Sequence, residues 1–259
     1  MSRSLPILGL MCLMGLSPLH ADVAAQAQAA AESLRSGHSI DAASRYRTLL
    51  TDPVFRTVGA PELWYNLGLA EEKSADAAGA SLSFRRALLL DPTFAPARRQ
   101  LETVLGMLGL PAPSGWHESV RRSLHPEFLI VGGAIIGWAA VFALILLIFL
   151  SPRKKPWIAA AIVFVIAGHG ASALGTLVDP RRMAADKAVV TAKKAPVLHA
   201  TPADSGTPGG TLTPGLLVSV LSRNGSWWYV SGGPGLTGWI PSDTVTPLLP
   251  AASSSSGGS

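Results

Sequence analysis

The sequence is poor in cysteine and in charged residues. Cys12 is the single cysteine among 259 residues, which excludes a disulfide framework and a thiolate metal site within the chain. Lys, Arg, Asp and Glu make up 14% of the residues, well below the ~25% that is usual for soluble proteins. This shortage of charge predicts that part of the chain lies in lipid.

Recognisable catalytic motifs are also scarce. The six histidines are dispersed without metal-ligand spacing, and no nucleophile elbow, Walker loop or zinc helix is present. Residues 233–238 match Gly-x-Gly-x-x-Gly, but their β-like surroundings lack the helix that such a phosphate site needs. The net charge of +5 comes from scattered basic residues, which argues against a nucleic-acid partner. We therefore expect no enzymatic activity, no cofactor and no metal site.

Long apolar runs are what the chain does contain. Residues 128–150 carry no charge, and residues 158–178 have His169 as their one notable polar group. About 20 residues of helix cross a bilayer core, and lipid forces the backbone to satisfy its own hydrogen bonds. Residues 151–157 leave room for only a turn, so we predict a two-helix hairpin with both flanking parts on one side. His169 is a functional candidate, although a lone histidine that simply hydrogen-bonds a neighbouring helix is the favoured alternative.

The N-terminus favours export of those flanking parts. Residues 1–21 follow the plan of a signal peptide, with Arg3, an apolar middle and Ala21 before the cleavage point. An uncleaved anchor is the alternative. The basic residues of turn 151–157 favour a cytoplasmic position for that turn. The basic residues on the outer flanks of the two apolar runs favour the opposite orientation. The signal peptide favours the orientation of a multi-pass protein of the bacterial inner membrane whose soluble domains lie in the periplasm.

Residues 22–110 are alanine-rich with helical periodicity. Seven residues stand at relative positions 4, 7, 8, 20, 24, 27 and 32 of a window that opens at Pro61: Trp64, Leu67, Gly68, Ala80, Phe84, Ala87 and Pro92. This spacing resembles the 34-residue tetratricopeptide (TPR) repeat, except that Glu71 replaces an aromatic residue. Helices near 23–36 and 40–50 form a weaker copy. The resemblance implies a groove that binds a protein or peptide. Four arginines are candidates for lining this groove: Arg85, Arg86, Arg98 and Arg99. The alternative is that they form a solvated helix face.

The chain after the hairpin predicts a small all-β unit. Residues 196–249 contain short alternating runs and an Asn-Gly hairpin signal, flanked by turn residues. Their order resembles a bacterial SH3-like domain. The candidate binding surface consists of Trp228, Tyr229 and Trp239. Trp227 or Trp239 fits a core position equally well, and core is the more frequent position of any single aromatic residue. We expect residues 111–127 and 179–195 to be linkers and residues 250–259 to be a disordered tail.

The order of these parts carries a further resemblance. Signal peptide, TPR-like α-helical solenoid, two-helix transmembrane hairpin and SH3-like barrel together are similar to the BatE family of the bacterial Bat (aerotolerance) operons. Membership implies a non-enzymatic membrane scaffold that works with von Willebrand A-domain membrane proteins and a MoxR-type ATPase. The alternative is an envelope sensor or wall-anchoring protein whose SH3-like domain binds peptidoglycan.

Overall fold

A computed structural model describes residues 18–51, 61–115, 118–120, 126–150, 155–203 and 207–249. These residues form a helical unit, a long two-helix hairpin and a unit built on one antiparallel sheet. The expected disordered tail and all of the expected signal peptide before Pro18 lie outside the described residues, as do 116–117 and 121–125 of the expected juxtamembrane linker.

Among the described residues, the helical unit contains five helices. They are α1 (Pro18–Arg35), α2 (Ser39–Thr51), α3 (Pro61–Lys73), α4 (Ala77–Leu90) and α5 (Ala95–Met107). Each helix packs on the next, and α3 also contacts both α1 and α5. The odd-numbered helices therefore line one side of the unit.

Local sequence explains where these helices begin and end. Asp76 caps α4, because its side chain accepts a hydrogen bond from the Gly79 backbone N–H at 2.9 Å. Pro92 follows two residues after the end of α4, as expected for a residue that cannot continue the helical ladder. Gly37 adopts a positive φ of 86° in the turn between α1 and α2, a conformation that glycine reaches without a Cβ penalty.

In the part of the chain that the structure describes, two helices are long and apolar enough to cross a membrane. They are α6 (Pro126–Leu150) and α7 (Lys155–Val178), with apolar spans at Phe128–Ile148 and Trp157–Val178. The hairpin was predicted correctly, although α7 begins three residues before the expected span at 158–178. Small residues bring the helices together: a Cβ on Gly168 would lie 2.5 Å from the Gly137 backbone nitrogen. Close backbone approach at glycine is typical of helix packing in lipid.

The described residues after the hairpin form a seven-stranded antiparallel sheet. Its strands are β1 (Lys187–Val190), β2 (Val197–His199), β3 (Pro208–Thr211), β4 (Leu217–Asn224), β5 (Trp227–Ser231), β6 (Thr237–Pro241) and β7 (Val245–Pro247). Their order is β3-β2-β6-β5-β4-β1-β7. The predicted Asn-Gly turn joins β4 to β5, with Gly225 at a φ of 55°.

The expected linker at 179–195 differs from the structure. It contains the short helix α8 (Pro180–Ala184) and strand β1, which pairs with both β4 and β7. Ala188, Val189 and Val190 are fully buried. The consecutive apolar residues of β1 lack the alternation that marks a half-exposed strand, because one face packs in the sheet core and the other against the helical unit.

The sheet packs directly on α4 of the helical unit. Leu82 of α4 forms one buried cluster with Ala184, Val189 and Leu248. The Ser81 hydroxyl donates to the Gly215 carbonyl at 3.2 Å across the same boundary. The soluble parts before and after the hairpin are therefore in contact.

Candidate interaction surfaces

The residues of the repeat-like pattern lie together between α3 and α4. Trp64 and Leu67 of α3 and Ala80, Phe84 and Ala87 of α4 are at most 5% exposed and belong to one hydrophobic cluster. Burying a large apolar side chain contributes roughly 1.5–3 kcal/mol. The pattern therefore marks the core that joins these two helices.

Gly68 is the point at which α3 and α4 approach most closely. A Cβ placed on Gly68 would lie 2.6 Å from Cε1 and 2.8 Å from Cδ1 of Phe84. Carbon atoms pack best at ~3.5–4.0 Å, so the Phe84 ring occupies the space that any larger residue at position 68 would need. The expected role of Gly68 as a crossing residue is confirmed by this contact.

Glu71, the departure from the repeat pattern, is a buried carboxylate. It accepts hydrogen bonds from the Ser83 hydroxyl at 2.6 Å and from Arg47 Nη2 at 2.7 Å, and only 4% of the residue is exposed. Burial raises the pKa of Glu71 above its ordinary value, while the bonds from Ser83 and Arg47 act in the opposite direction. The carboxylate thus ties α2, α3 and α4 together by polar contacts where an aromatic ring was expected.

The solvent-facing side of α3 presents one continuous stripe. Glu62 and Lys73 are exposed, and Asn66 and Leu69 between them are half-buried. Their spacing of 4, 3 and 4 residues puts all four on one helical face. We call these four residues the α3 stripe. It lies opposite the buried residues that face α4.

The arginines expected in a groove have other positions. Arg86 stacks on the Trp64 ring at 4.7 Å and donates to the carbonyls of Pro247 and Leu248, at 2.9 and 3.2 Å. Burial lowers the pKa of Arg86 to about 10, so it stays charged at neutral pH. Both alternatives considered for Arg86 are wrong, because it joins the helical unit to the sheet.

The other three arginines each have a different environment. Arg85 is half-buried on α4, and burial lowers its pKa to about 10. Arg98 forms a 3.3 Å ion pair with Glu118 and donates to the Pro92 carbonyl. Arg99 is exposed, in line with a solvated helix face. The sequence showed no sign of the sheet that covers α4, so these differences could not be predicted.

The candidate aromatics of the sheet lie on two different faces. Tyr229 and Trp239 are cross-strand partners whose ring centroids are 5.2 Å apart. Trp228 points to the opposite face, where it packs against the sheet core and under Arg223 at 4.6 Å. Neighbouring residues of a strand point to opposite faces, so Trp228 does not belong to a common surface with the other two.

Two further residues extend the aromatic surface. His199 of β2 is the cross-strand partner of Trp239, and its ring meets Trp227 edge-on at 5.4 Å. Tyr229, Trp239, His199 and Trp227 are all half-buried. We call these four residues the aromatic face. The sequence contained the Trp227–Tyr229 alternation that defines this face, but not the distant pairing that adds His199.

His169 is an exposed residue of α7 whose ring lies against Gly137 of α6. Its Nδ1 is 2.9 Å from the Val165 carbonyl of its own helix, and because a carbonyl only accepts, Nδ1 carries the proton. The ring lies 6.2 Å from the Trp138 ring and above Gly137, where a Cβ would come within 2.5 Å. The favoured expectation of a hydrogen bond to a neighbouring helix is replaced by one within the same helix.

Across the described residues, no three His, Cys, Asp or Glu side chains lie close enough together to hold a metal ion. Comparisons of the chain with family models, with curated proteins and with solved structures found no match.

Proposed function

We propose that this chain is a membrane-anchored scaffold for protein–protein interaction in the bacterial cell envelope, without enzymatic activity. The observation that carries the proposal is the asymmetry of the helical unit. Its α4 side is covered by the sheet, through Arg86 and the cluster around Leu82. On the other side, Glu62 and Lys73 of the α3 stripe are exposed, and Asn66 and Leu69 are half-buried. A TPR-like unit held in this way presents one groove to a partner protein or peptide.

The proposed location is the inner membrane with both soluble parts in the periplasm. Direct contact between α4 and the sheet supports one shared side for the two parts, because α6 and α7 form an antiparallel hairpin between them. The signal-like start of the chain supports the periplasmic side. The hairpin then serves as an anchor rather than as a path for solutes.

We further propose that the scaffold belongs to a Bat-type complex. Support comes from the order of a TPR-like unit, a hairpin and an SH3-like unit, which is similar to the BatE family. On this proposal the partners include von Willebrand A-domain membrane proteins and a MoxR-type ATPase system.

Affinity capture from native membranes tests the scaffold proposal. The intact tagged chain is compared with Leu69→Glu, which places a charge in the middle of the α3 stripe. Thr48→Glu is the matched control, because Thr48 is exposed on α2 outside the stripe. We expect the same membrane protein to co-purify with the intact chain and the Thr48 variant, and to be lost with the Leu69 variant. Far-UV circular dichroism must show equal helicity for all three. Equal capture by all three chains would contradict the proposal.

The aromatic face supports a second candidate function. Half-buried aromatic rings on one sheet face suit stacking against sugar rings, so the sheet would bind peptidoglycan and the chain would act as a wall-anchoring sensor. Sedimentation of the full chain with purified peptidoglycan tests this candidate. Trp239→Ala should abolish sedimentation, and Leu221→Ala should not, since Leu221 is 59% exposed outside the face. Absence of sedimentation by the unaltered chain would refute the candidate.

A further inference from the structure

Two side chains with polar ring atoms are exposed near the middle of the hairpin. Trp138 of α6 is 60% exposed, and His169 of α7 is also exposed. Their ring centroids are 6.2 Å apart, so both lie on the same side of the hairpin. Trp138 is the midpoint of the span Phe128–Ile148, and His169 lies near the middle of Trp157–Val178. Roughly 13 Å or more of helix therefore separates each residue from either end of its span.

The Trp138 indole N–H is a hydrogen-bond donor at an unusual depth. Tryptophan is enriched at the two membrane–water interfaces, where the polar end of its ring has a partner. In the middle of the proposed bilayer neither water nor a lipid headgroup is within reach. Among the described residues, the Trp138 N–H makes no hydrogen bond. Because an unpaired polar group in an apolar medium is costly, this donor calls for an acceptor from outside the chain.

His169 carries the complementary acceptor. Its Nδ1 donates to the Val165 carbonyl at 2.9 Å. A charged ring is costly in hydrocarbon, so the imidazole is neutral and its second nitrogen, Nε2, is an acceptor. No side chain in the described part of the hairpin donates to Nε2, and the Trp138 and His169 rings meet edge-on without a hydrogen bond. One hairpin thus presents a free donor and a free acceptor side by side.

Exposed apolar side chains border the two rings. On α6, Ile135 and Phe142 lie three residues before and four residues after Trp138, and both are exposed. On α7, Ile166 lies three residues before His169 and is exposed as well. Residues at these spacings share a helical face. We call these five residues the hairpin patch, and its apolar border can pack against another hairpin in lipid.

We propose that the hairpin patch is the contact of a symmetric dimer, in which Trp138 of each copy donates its indole N–H to Nε2 of His169 in the other copy. A second copy is the partner that fits, because a two-fold axis turns one donor and one acceptor into two equivalent hydrogen bonds. An axis along the membrane normal preserves depth, and Trp138 and His169 both lie near the middle of their spans. The dimer goes beyond the proposed scaffold function and rests on the proposed membrane location.

Energy transfer between full chains in phosphatidylcholine vesicles gives a direct test. Chains with a donor or an acceptor fluorophore at the C-terminus are reconstituted together and diluted with lipid. Trp138→Phe or His169→Phe removes both bonds of the symmetric pair, so each should weaken dimerisation about tenfold. Trp157→Phe, at the end of its span, and His38→Phe, between α1 and α2, remove the same groups elsewhere. Both controls should dimerise as the unaltered chain does.

A mixture of the two variants separates a contact between copies from a contact within one copy. The Trp138→Phe chain keeps the acceptor and the His169→Phe chain keeps the donor, so a mixed pair regains one of the two bonds. The mixed pair should therefore associate about threefold more tightly than either variant with itself. Far-UV circular dichroism must show equal helicity for all chains. Equal association of mixed and unmixed variants would overturn the inference.

The unaltered chain distinguishes failure of the dimer from failure of the other proposals. If it floats with the vesicles but its energy transfer does not exceed that of randomly placed chains, the dimer alone is overturned. If it does not float with the vesicles, the proposed membrane location and the dimer are both wrong. Intact dimerisation together with membrane-protein capture that is insensitive to Leu69→Glu would overturn the scaffold function instead.

Discussion

The contact between Gly68 and Phe84 offers the sharpest test of the helical packing. Alanine at position 68 would place its Cβ 2.6 Å from Cε1 of Phe84, about 1 Å inside the optimum for two carbon atoms. Phe84 is fully buried and therefore has no open space into which it can turn. Overpacking of this kind costs about 1–3 kcal/mol.

Helix propensity acts in the opposite direction at the same position. Replacing glycine by alanine inside a helix stabilises it by about 1 kcal/mol. We expect the clash to exceed this gain, so Gly68→Ala should lose about 1–2 kcal/mol in the free energy of opening of α3 and α4. Gly106 of α5 is the matched control, because nothing lies within 4 Å of a Cβ placed there. Gly106→Ala should gain up to ~1 kcal/mol.

Hydrogen exchange with mass spectrometry measures these free energies on the full chain in detergent micelles. Peptides from α3 and α4 report the Gly68 variant, and peptides from α5 report the Gly106 variant. Faster exchange in the first and slower exchange in the second is the expected pair of results. If Gly68→Ala slowed exchange as Gly106→Ala does, the packing of Phe84 on Gly68 would be wrong. Gly68→Ala should cost less in a Phe84→Leu background than in the unaltered chain, because leucine lacks the Cε1 and Cζ atoms that lie near the added Cβ.

Three further predictions concern the other contacts. Arg86→Met removes the bonds from α4 to the last strand and should speed hydrogen exchange in residues 245–249 by the equivalent of about 1–3 kcal/mol; unchanged exchange there would contradict the docking. Gly168→Ala should lower the thermal unfolding midpoint of the hairpin in detergent, whereas Gly170→Ala, with nothing within 4 Å of its Cβ, should not. The raised pKa of Glu71 means that the folded state binds more protons than the unfolded state, so its contribution to stability should fall as pH rises from the unfolded pKa through the folded one. Glu71→Gln should flatten this fall in unfolding free energy at pH values above about 4, the ordinary pKa of a glutamate, and an unaltered pH slope would refute the assignment.

Elements defined by local periodicity were predicted well. The spacing from Trp64 to Pro92 placed α3 and α4, since a helix pair requires small residues where its axes cross and bulky residues beside them. The apolar runs placed the hairpin, because the bilayer core fixes the length of a spanning helix. The Asn-Gly signal placed the turn between β4 and β5. Each of these signals lies within one short stretch of chain.

Contacts between distant parts of the chain could not be predicted in this way. Arg86 and Leu248 are 162 residues apart, and nothing near either residue indicates the other. Trp228 was expected on one surface with Tyr229 and Trp239, and it lies on the opposite face. Residues 227–229 are all aromatic, so the sequence does not show which of them face the core of the sheet. The cavity that Tyr46 lines between α1, α2 and α3 likewise depends on three helices that meet around it.

Site-specific photo-crosslinking in native membranes tests the central claim most directly. A benzophenone amino acid at position 69 lies in the middle of the α3 stripe, and the same group at position 48 lies on α2 outside it. The account predicts that position 69 cross-links to one recurrent membrane protein and that position 48 does not. Equal cross-linking from both positions, or none from position 69 while that protein still co-purifies, would contradict it.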